Sequence, residues 1–158
     1  YTLAMVTAEV TKAIGGDFSI VATDVSTEVL QRALAGIYTH AQLAALPPHW
    51  RTDYFTLVPG EAGRTFSVHQ KIRDRIVFGH LNLLAARYGV KGPMDVIFFR
   101  NVMIYFDKPT QYDVLRKVVP LLAPGGRFYA GHSESFAHAL DLVQPCGRTI
   151  YRAAQESR

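Results

Sequence analysis

Short apolar runs that stop at polar residues constrain the fold of this 158-residue chain more than any other feature. Residues 18–24 (FSIVATD), 76–79 (IVFG), 95–99 (DVIFF) and the run RFYAG ending at Gly131 are rich in β-branched and aromatic side chains. They are too short for buried helices and read as strands. Runs apolar on both faces belong inside a parallel sheet. Segments with helical spacing separate them. Leu3, Val6, Val10, Ala13 and Ile14 recur at that spacing, and Gly15-Gly16 supplies a stop. Ser26 predicts the N-cap of a second helix, with Val29, Leu30, Ala33 and Leu34 on one face and Gly36 as its stop. Residues 41–46 predict a short helix ended by Pro47-Pro48.

Asp107 predicts the cap of a longer helix, with Pro109 in the first turn, where proline is tolerated. Leu115, Val118, Val119 and Leu122 form its expected buried stripe. Pro120 should bend or shorten it, and APGG, residues 123–126, should end it. Strands alternating with helices predict an α/β fold with a doubly wound, mostly parallel sheet. Residues 142–144 and 149–151 predict a closing hairpin, hence an antiparallel edge. The length suggests one domain.

One stretch departs from this pattern. VPGEAG reads as a turn, and RTFSVHQKI alternates Phe66, Val68, Gln70 and Ile72 against polar neighbours. Period two marks a half-exposed antiparallel strand. Residues 54–72 are therefore expected to form a small inserted β-subdomain. Residues 83–88 should be a short helix or a loop. The first helix lacks a capping residue, as expected of a chain that starts inside a domain.

Composition excludes several functions. No segment approaches the ~20 apolar residues of a membrane helix, so no membrane insertion is expected. Cys146 is the one cysteine and cannot form an intrachain disulfide, which favours an unreactive thiol and a reducing, cytoplasmic setting. A net charge of +4 comes from scattered Lys and Arg with no basic run, so no nucleic-acid partner is expected. None of the six histidines has metal-ligand spacing, and no metal is expected. No G-x-G-x-x-G, P-loop or G-x-S-x-G elbow is present.

In doubly wound sheets ligands bind at the carboxyl ends of the strands. Polar residues cluster there: Asp24, Asn82, Arg100 with Asn101, and His132 to Glu134. Asp24 suits a ribose diol or a helix cap. Asn82 suits a site or a turn, and Arg100 a site or a surface ion pair. Tyr105 suits a site or the core, and His132 a site or a structural hydrogen bond.

The segments YTLAM, ATDVSTEVLQRALAGIY, LNLL, DVIFFRNVMIYFDKPTQ, PLLAPGGRFYAGHSES and RTIYR together resemble the chemotaxis receptor (chemoreceptor glutamate) methyltransferases of CheR type, over essentially the whole chain. The resemblance implies a Rossmann-like methyltransferase fold dependent on S-adenosylmethionine. It implies methyl transfer to glutamate side chains on the cytoplasmic helices of chemoreceptors, with S-adenosylhomocysteine as product. By the same resemblance Asp24 holds the cofactor ribose, Asn82 and Leu83 lie near the adenine, and Phe99 and Arg100 line the cofactor cleft. Tyr105 faces the methyl donor, and Arg100 shares the catalytic role. The β-subdomain corresponds to one that, in some members, docks a receptor C-terminal peptide by strand addition. A helical N-terminal domain and a first strand with its glycine- and glutamate-rich loop are implied upstream of Tyr1.

The chemistry agrees with the residues. A glutamate nucleophile, with an unperturbed pKa of about 4.3, is ionised near neutrality and needs no general base. The site must orient and desolvate it beside a cation. A nicotinamide dehydrogenase would also place Asp24 on a ribose, but does not explain residues 100–107. Amino-methylating nucleic-acid enzymes carry an Asn/Asp-Pro-Pro-aromatic motif that RNVMIY lacks. The alternative of another class is a non-catalytic fragment that docks a receptor or regulator.

Overall fold

The computed structural model describes residues 1–59 and 64–154. These fall into two units, Tyr1–Asn82 and Leu83–Arg158. No helix among the described residues is long and apolar enough to cross a membrane.

The first unit opens with α1, Thr2–Ile14. Its buried residues are Ala4 and Met5, with Tyr1 and Ala8 packed beside them. Val6, Val10 and Ile14 stay exposed. Two sets of apolar residues share the helical spacing, and the core takes the smaller-faced one rather than the predicted one. β1, Ile20–Asp24, follows. Then comes α2, Thr27–Ala35, which Ser26 caps by accepting from the Val29 N–H at 3.3 Å. Gly36 ends it at φ 62, in the left-handed region that favours glycine. None of its residues is fully buried, and Val29 and Leu34 of the predicted apolar face are exposed. The Tyr1 hydroxyl donates to the Ala33 carbonyl at 2.8 Å and ties the two helices together.

β2, Ile37–Thr39, leads into α3, His40–Leu43, where Thr39 and Gln42 form a capping box. α4, Pro48–Tyr54, carries proline at its first position. β3, Phe55–Leu57, and β4, Thr65–Val68, come next. The antiparallel order is β2-β4-β3. The excursion thus exists, but it recruits β2 from before residue 54. The alternation predicted over Gln70 and Ile72 gives way to α5, Gln70–Arg73. Ile72 is buried there with Tyr54, Phe55 and Val68, so one turn of helix serves the same core. The VPGEAG turn falls largely on residues 60–63, outside the described residues. β5, Ile76–His80, pairs in parallel with β1, Asp24 opposite His80.

The second unit begins with an irregular stretch, residues 83–93, rather than a helix. β6, Met94–Phe99, and a 3₁₀ turn, Met103–Tyr105, precede α6, Lys108–Val118. Asp107 caps α6 by accepting from the Thr110 N–H at 3.0 Å. Pro120 lacks the N–H that would continue the helix, so α6 stops at Val118 and one 3₁₀ turn, Val119–Leu121, follows. APGG is therefore not the stop. It lies inside β7, Leu122–Ala130, whose pairing with β6 shifts register between Met94 and Val96. β8, Val143–Gly147, and β9, Ile150–Ala153, form the predicted antiparallel pair. The sheet order is β6-β7-β9-β8, with β6 and β7 parallel and the last strands antiparallel. The α/β class, the parallel pairs and the antiparallel edge are as predicted. The parallel pairs lie in separate sheets.

Phe128 anchors this unit. It is fully buried, stacks on Phe99 at 5.5 Å and meets the edge of Phe136 at 5.7 Å. Val114, Leu115 and Val118 of α6 close over it, while Val119 and Leu122 are partly buried. Each such side chain contributes about 1.5–3 kcal/mol by leaving water. Cys146, in β8, is exposed.

Candidate active site

In the first unit β1 and β5 run in register, so their carboxyl ends coincide. Asp24 ends β1. Its carbonyl accepts from the Leu81 N–H at 3.0 Å, and its Oδ1 accepts from the Ser26 N–H at 2.8 Å. Asp24 thus orders the turn into α2, while Ser26 is the helix cap. Its second oxygen has no intramolecular partner among the described residues and suits a ribose hydroxyl. Asn82 lies two residues beyond the end of β5 and is exposed. Asp24 and Asn82 are brought to the same strand ends.

In the second unit Leu83 is partly buried against the core. Its carbonyl accepts from the Tyr88 hydroxyl at 2.7 Å and from the Lys117 ammonium at 2.8 Å. Lys117 also donates to the Ala85 carbonyl at 2.8 Å, and its charge lies 5.0 Å from the Tyr88 ring centre. Burial pushes the Tyr88 phenol up from its ordinary pKa.

Phe99 ends β6, with its ring held on Phe128. The chain then leaves the sheet sharply. Asn101 sits at φ 60, a left-handed conformation that asparagine tolerates better than most residues. Arg100 is exposed, and its guanidinium makes no hydrogen bond or ion pair among the described residues. The surface ion pair open to it from sequence is therefore absent there. Tyr105 is 79% exposed, which removes the core-packing reading.

Two buried polar residues hold this segment. Glu134 is 7% exposed. Its Oε1 accepts from the N–H groups of Val102 at 2.9 Å and Met103 at 2.8 Å, and its Oε2 accepts from the Gly131 N–H. Gln111 is 6% exposed, and its amide donates to the carbonyls of Met103 and Phe106, both at 2.9 Å. Lys108 completes Gln111 by donating to its Oε1 at 3.2 Å. Burial, then the Lys108 charge, holds the His138 imidazole below its ordinary pKa. The Thr110 hydrogen bonds hold the Asp107 carboxyl below its ordinary value.

Sequence reasoning placed Glu134 among the strand-end residues without a role and passed over Gln111 and Lys117. The signal for Glu134 was its place in GHSES just after a buried strand. The groups it serves lie 31 and 32 residues away, which no local pattern reveals. His132 is exposed, with no hydrogen bond among the described residues. Chemically, the segment offers a phenol, and a guanidinium free among the described residues, on a fixed backbone. A guanidinium binds a carboxylate by charge-assisted hydrogen bonds.

Residues 1–152 match the family described as "CheR methyltransferase, SAM binding domain". The chemotaxis protein methyltransferase of Escherichia coli K12 is 42% identical over 156 residues, 99% of this chain and 54% of that protein. Chemotaxis protein methyltransferase 2 of Pseudomonas aeruginosa is 40% identical over 154 residues, covering 98% of this chain and 55% of that protein. The crystal structure of the glycopeptide N-methyltransferase MtfA complexed with sinefungin aligns with 80% of the chain at 13% identity and a TM-score of 0.43, too slight a likeness to add to this. The chain spans about half the length of the curated relatives it matches. A family match over nearly every residue, with relatives at this identity, settles the assignment: the chain belongs to the SAM-binding domain family of the CheR methyltransferases.

Proposed function

We propose that the protein transfers a methyl group from S-adenosylmethionine to glutamate carboxylates on the cytoplasmic helices of chemoreceptors, forming glutamyl methyl esters. The observation that carries this reading is the fixed backbone from Arg100 to Tyr105, which presents an exposed phenol, and a guanidinium unpaired among the described residues, at the carboxyl end of a parallel strand. When bound, the cofactor would supply an electrophilic methyl on a sulfonium, open to direct attack by an ionised carboxylate, with the thioether of S-adenosylhomocysteine as the leaving group. The protein then needs no proton acceptor. Arg100 orients the carboxylate, and Tyr105 donates a hydrogen bond or lines the path of the methyl.

For the cofactor itself, Asp24 offers an acceptor oxygen to the ribose hydroxyls, as an acidic residue after a strand commonly does in dinucleotide folds. Asn82 and Leu83 attend the adenine, and Phe99 and Arg100 line its cleft. The antiparallel β2-β4-β3 sheet has strand edges suited to accepting an extended receptor peptide.

The test is methyl transfer from radiolabelled S-adenosylmethionine to purified receptor cytoplasmic helices. Because Tyr105 is exposed, Tyr105→Phe leaves stability within about 0.5 kcal/mol. It lowers turnover by at least about tenfold, the low end of what loss of a positioned group costs, with little change in cofactor affinity. Equal turnover in the two proteins contradicts the role of Tyr105. No transfer by the unsubstituted protein contradicts the function itself and favours a docking role.

A further inference from the structure

Three backbone N–H groups, those of Gly131, Val102 and Met103, converge on the Glu134 carboxylate, and that carboxylate is buried. A carboxylate has acceptor capacity for all three and nothing to donate. An amide in its place would turn an NH₂ toward at least one N–H. The surroundings are equally tight. A Cβ added at Gly131 would lie 2.7 Å from Glu134 Oε2, 2.7 Å from Asn101 Oδ1 and 3.0 Å from the Asn101 nitrogen. Glycine is required at 131 by this close approach.

The consequence falls on the neighbouring residues. Val102 and Met103 sit between Arg100 and Tyr105, and the 3₁₀ turn starts at Met103. Fixing their N–H groups fixes the direction in which the chain leaves β6. Gln111 holds both ends of the same turn through the carbonyls of Met103 and Phe106. Glu134 itself cannot touch substrate, since its oxygens are engaged by backbone and shielded from solvent.

We propose that Glu134 is a positioning residue for methyl transfer: its buried carboxylate sets the orientation of Arg100 and Tyr105 through the backbone of Val102 and Met103. This rests on the methyltransferase reading above. The decisive comparison uses the natural full-length protein and the receptor-helix assay. Glu134→Gln should lower kcat by at least about tenfold, a loss of the size that misplacing reacting groups produces, while KM for S-adenosylmethionine changes much less. Glu134→Asp, which keeps the charge, should recover part of the loss. Tyr112→Phe removes a hydrogen bond to Asp141 elsewhere in the same unit and serves as the stability control. It should lower the melting temperature and leave kcat unchanged.

A wild-type kcat in Glu134→Gln, or a loss no larger than that of the Tyr112→Phe control, overturns the proposal. Should Glu134→Gln fail to fold, the same comparison is read from Glu134→Asp, and an unchanged kcat there overturns it equally. An unsubstituted protein without methyl transfer sinks the underlying reading, and the proposal with it. That outcome is distinct, because it appears before any variant is compared.

Discussion

Two irregular segments of the second unit, residues 83–88 and 100–106, are each held by one ionised side chain, but of opposite sign. Lys117 donates to carbonyls in the first, and Glu134 accepts N–H groups in the second. The difference in burial matters more than the difference in charge. Lys117 is half-buried, so water can replace it at the carbonyls it serves. Glu134 is 7% exposed, and water has little access to the donors it satisfies. A buried N–H without a partner costs about 1–3 kcal/mol, more than the roughly 0.5–1.5 kcal/mol a typical hydrogen bond contributes. The segment bearing Arg100 and Tyr105 is therefore the more rigidly specified of the two.

The largest expected effect follows from removing the carboxylate. Glu134→Leu leaves the three N–H donors unsatisfied. It should cost about 3 kcal/mol or more, given roughly 1–3 kcal/mol per orphaned buried donor. Urea unfolding measures it, and a loss under 1 kcal/mol would erase the contrast between the segments. Lys117→Met comes next. It keeps the aliphatic stem and removes two bonds to carbonyls that water can reach. The expected loss is about 1 kcal/mol, with a weaker affinity for S-adenosylhomocysteine and little change in kcat. A larger kcat effect than that of Glu134→Gln would invert the comparison.

The smallest effect concerns the helix that follows the second segment. The Asp107 carboxyl is held below the ordinary carboxylate range by its bonds to Thr110. A depressed folded value means that its contribution is present above the unfolded value and lost as pH falls through the folded one. Acid titration should therefore loosen the start of α6 below about pH 4. Asp107→Asn, which still caps, should remove that part of the pH dependence. An unchanged acid profile would contradict the assignment.

Local signals were legible where one residue decides a structure. Ser26 and Gly36 bound α2, Asp107 starts α6 and Pro120 stops it. The strands β1, β5 and β6 were visible as short runs of β-branched and aromatic residues, but burial on both faces, expected from those runs, does not hold, since Val21, Val77, Val96 and Phe98 are exposed. APGG misled because glycine after a helix usually marks an end, whereas here proline had already supplied one and the glycines run on in β7. The apolar stripe of α1 misled because Ala4 and Met5 share its spacing and the core took them. Glu134, Gln111 and Lys117 were illegible as anchors for a common reason. Each is a polar residue whose partners are backbone groups, which carry no sequence identity. The positions Arg100 and Tyr105 could be singled out, but not the devices that hold them.

The proposed site takes S-adenosylmethionine rather than a nicotinamide cofactor. Calorimetric titration of the natural full-length protein with S-adenosylhomocysteine, and in parallel with NAD, tests it most directly. Saturable binding of S-adenosylhomocysteine, weakened by Asp24→Ala, is expected, with no heat from NAD. Binding of NAD alone would contradict it.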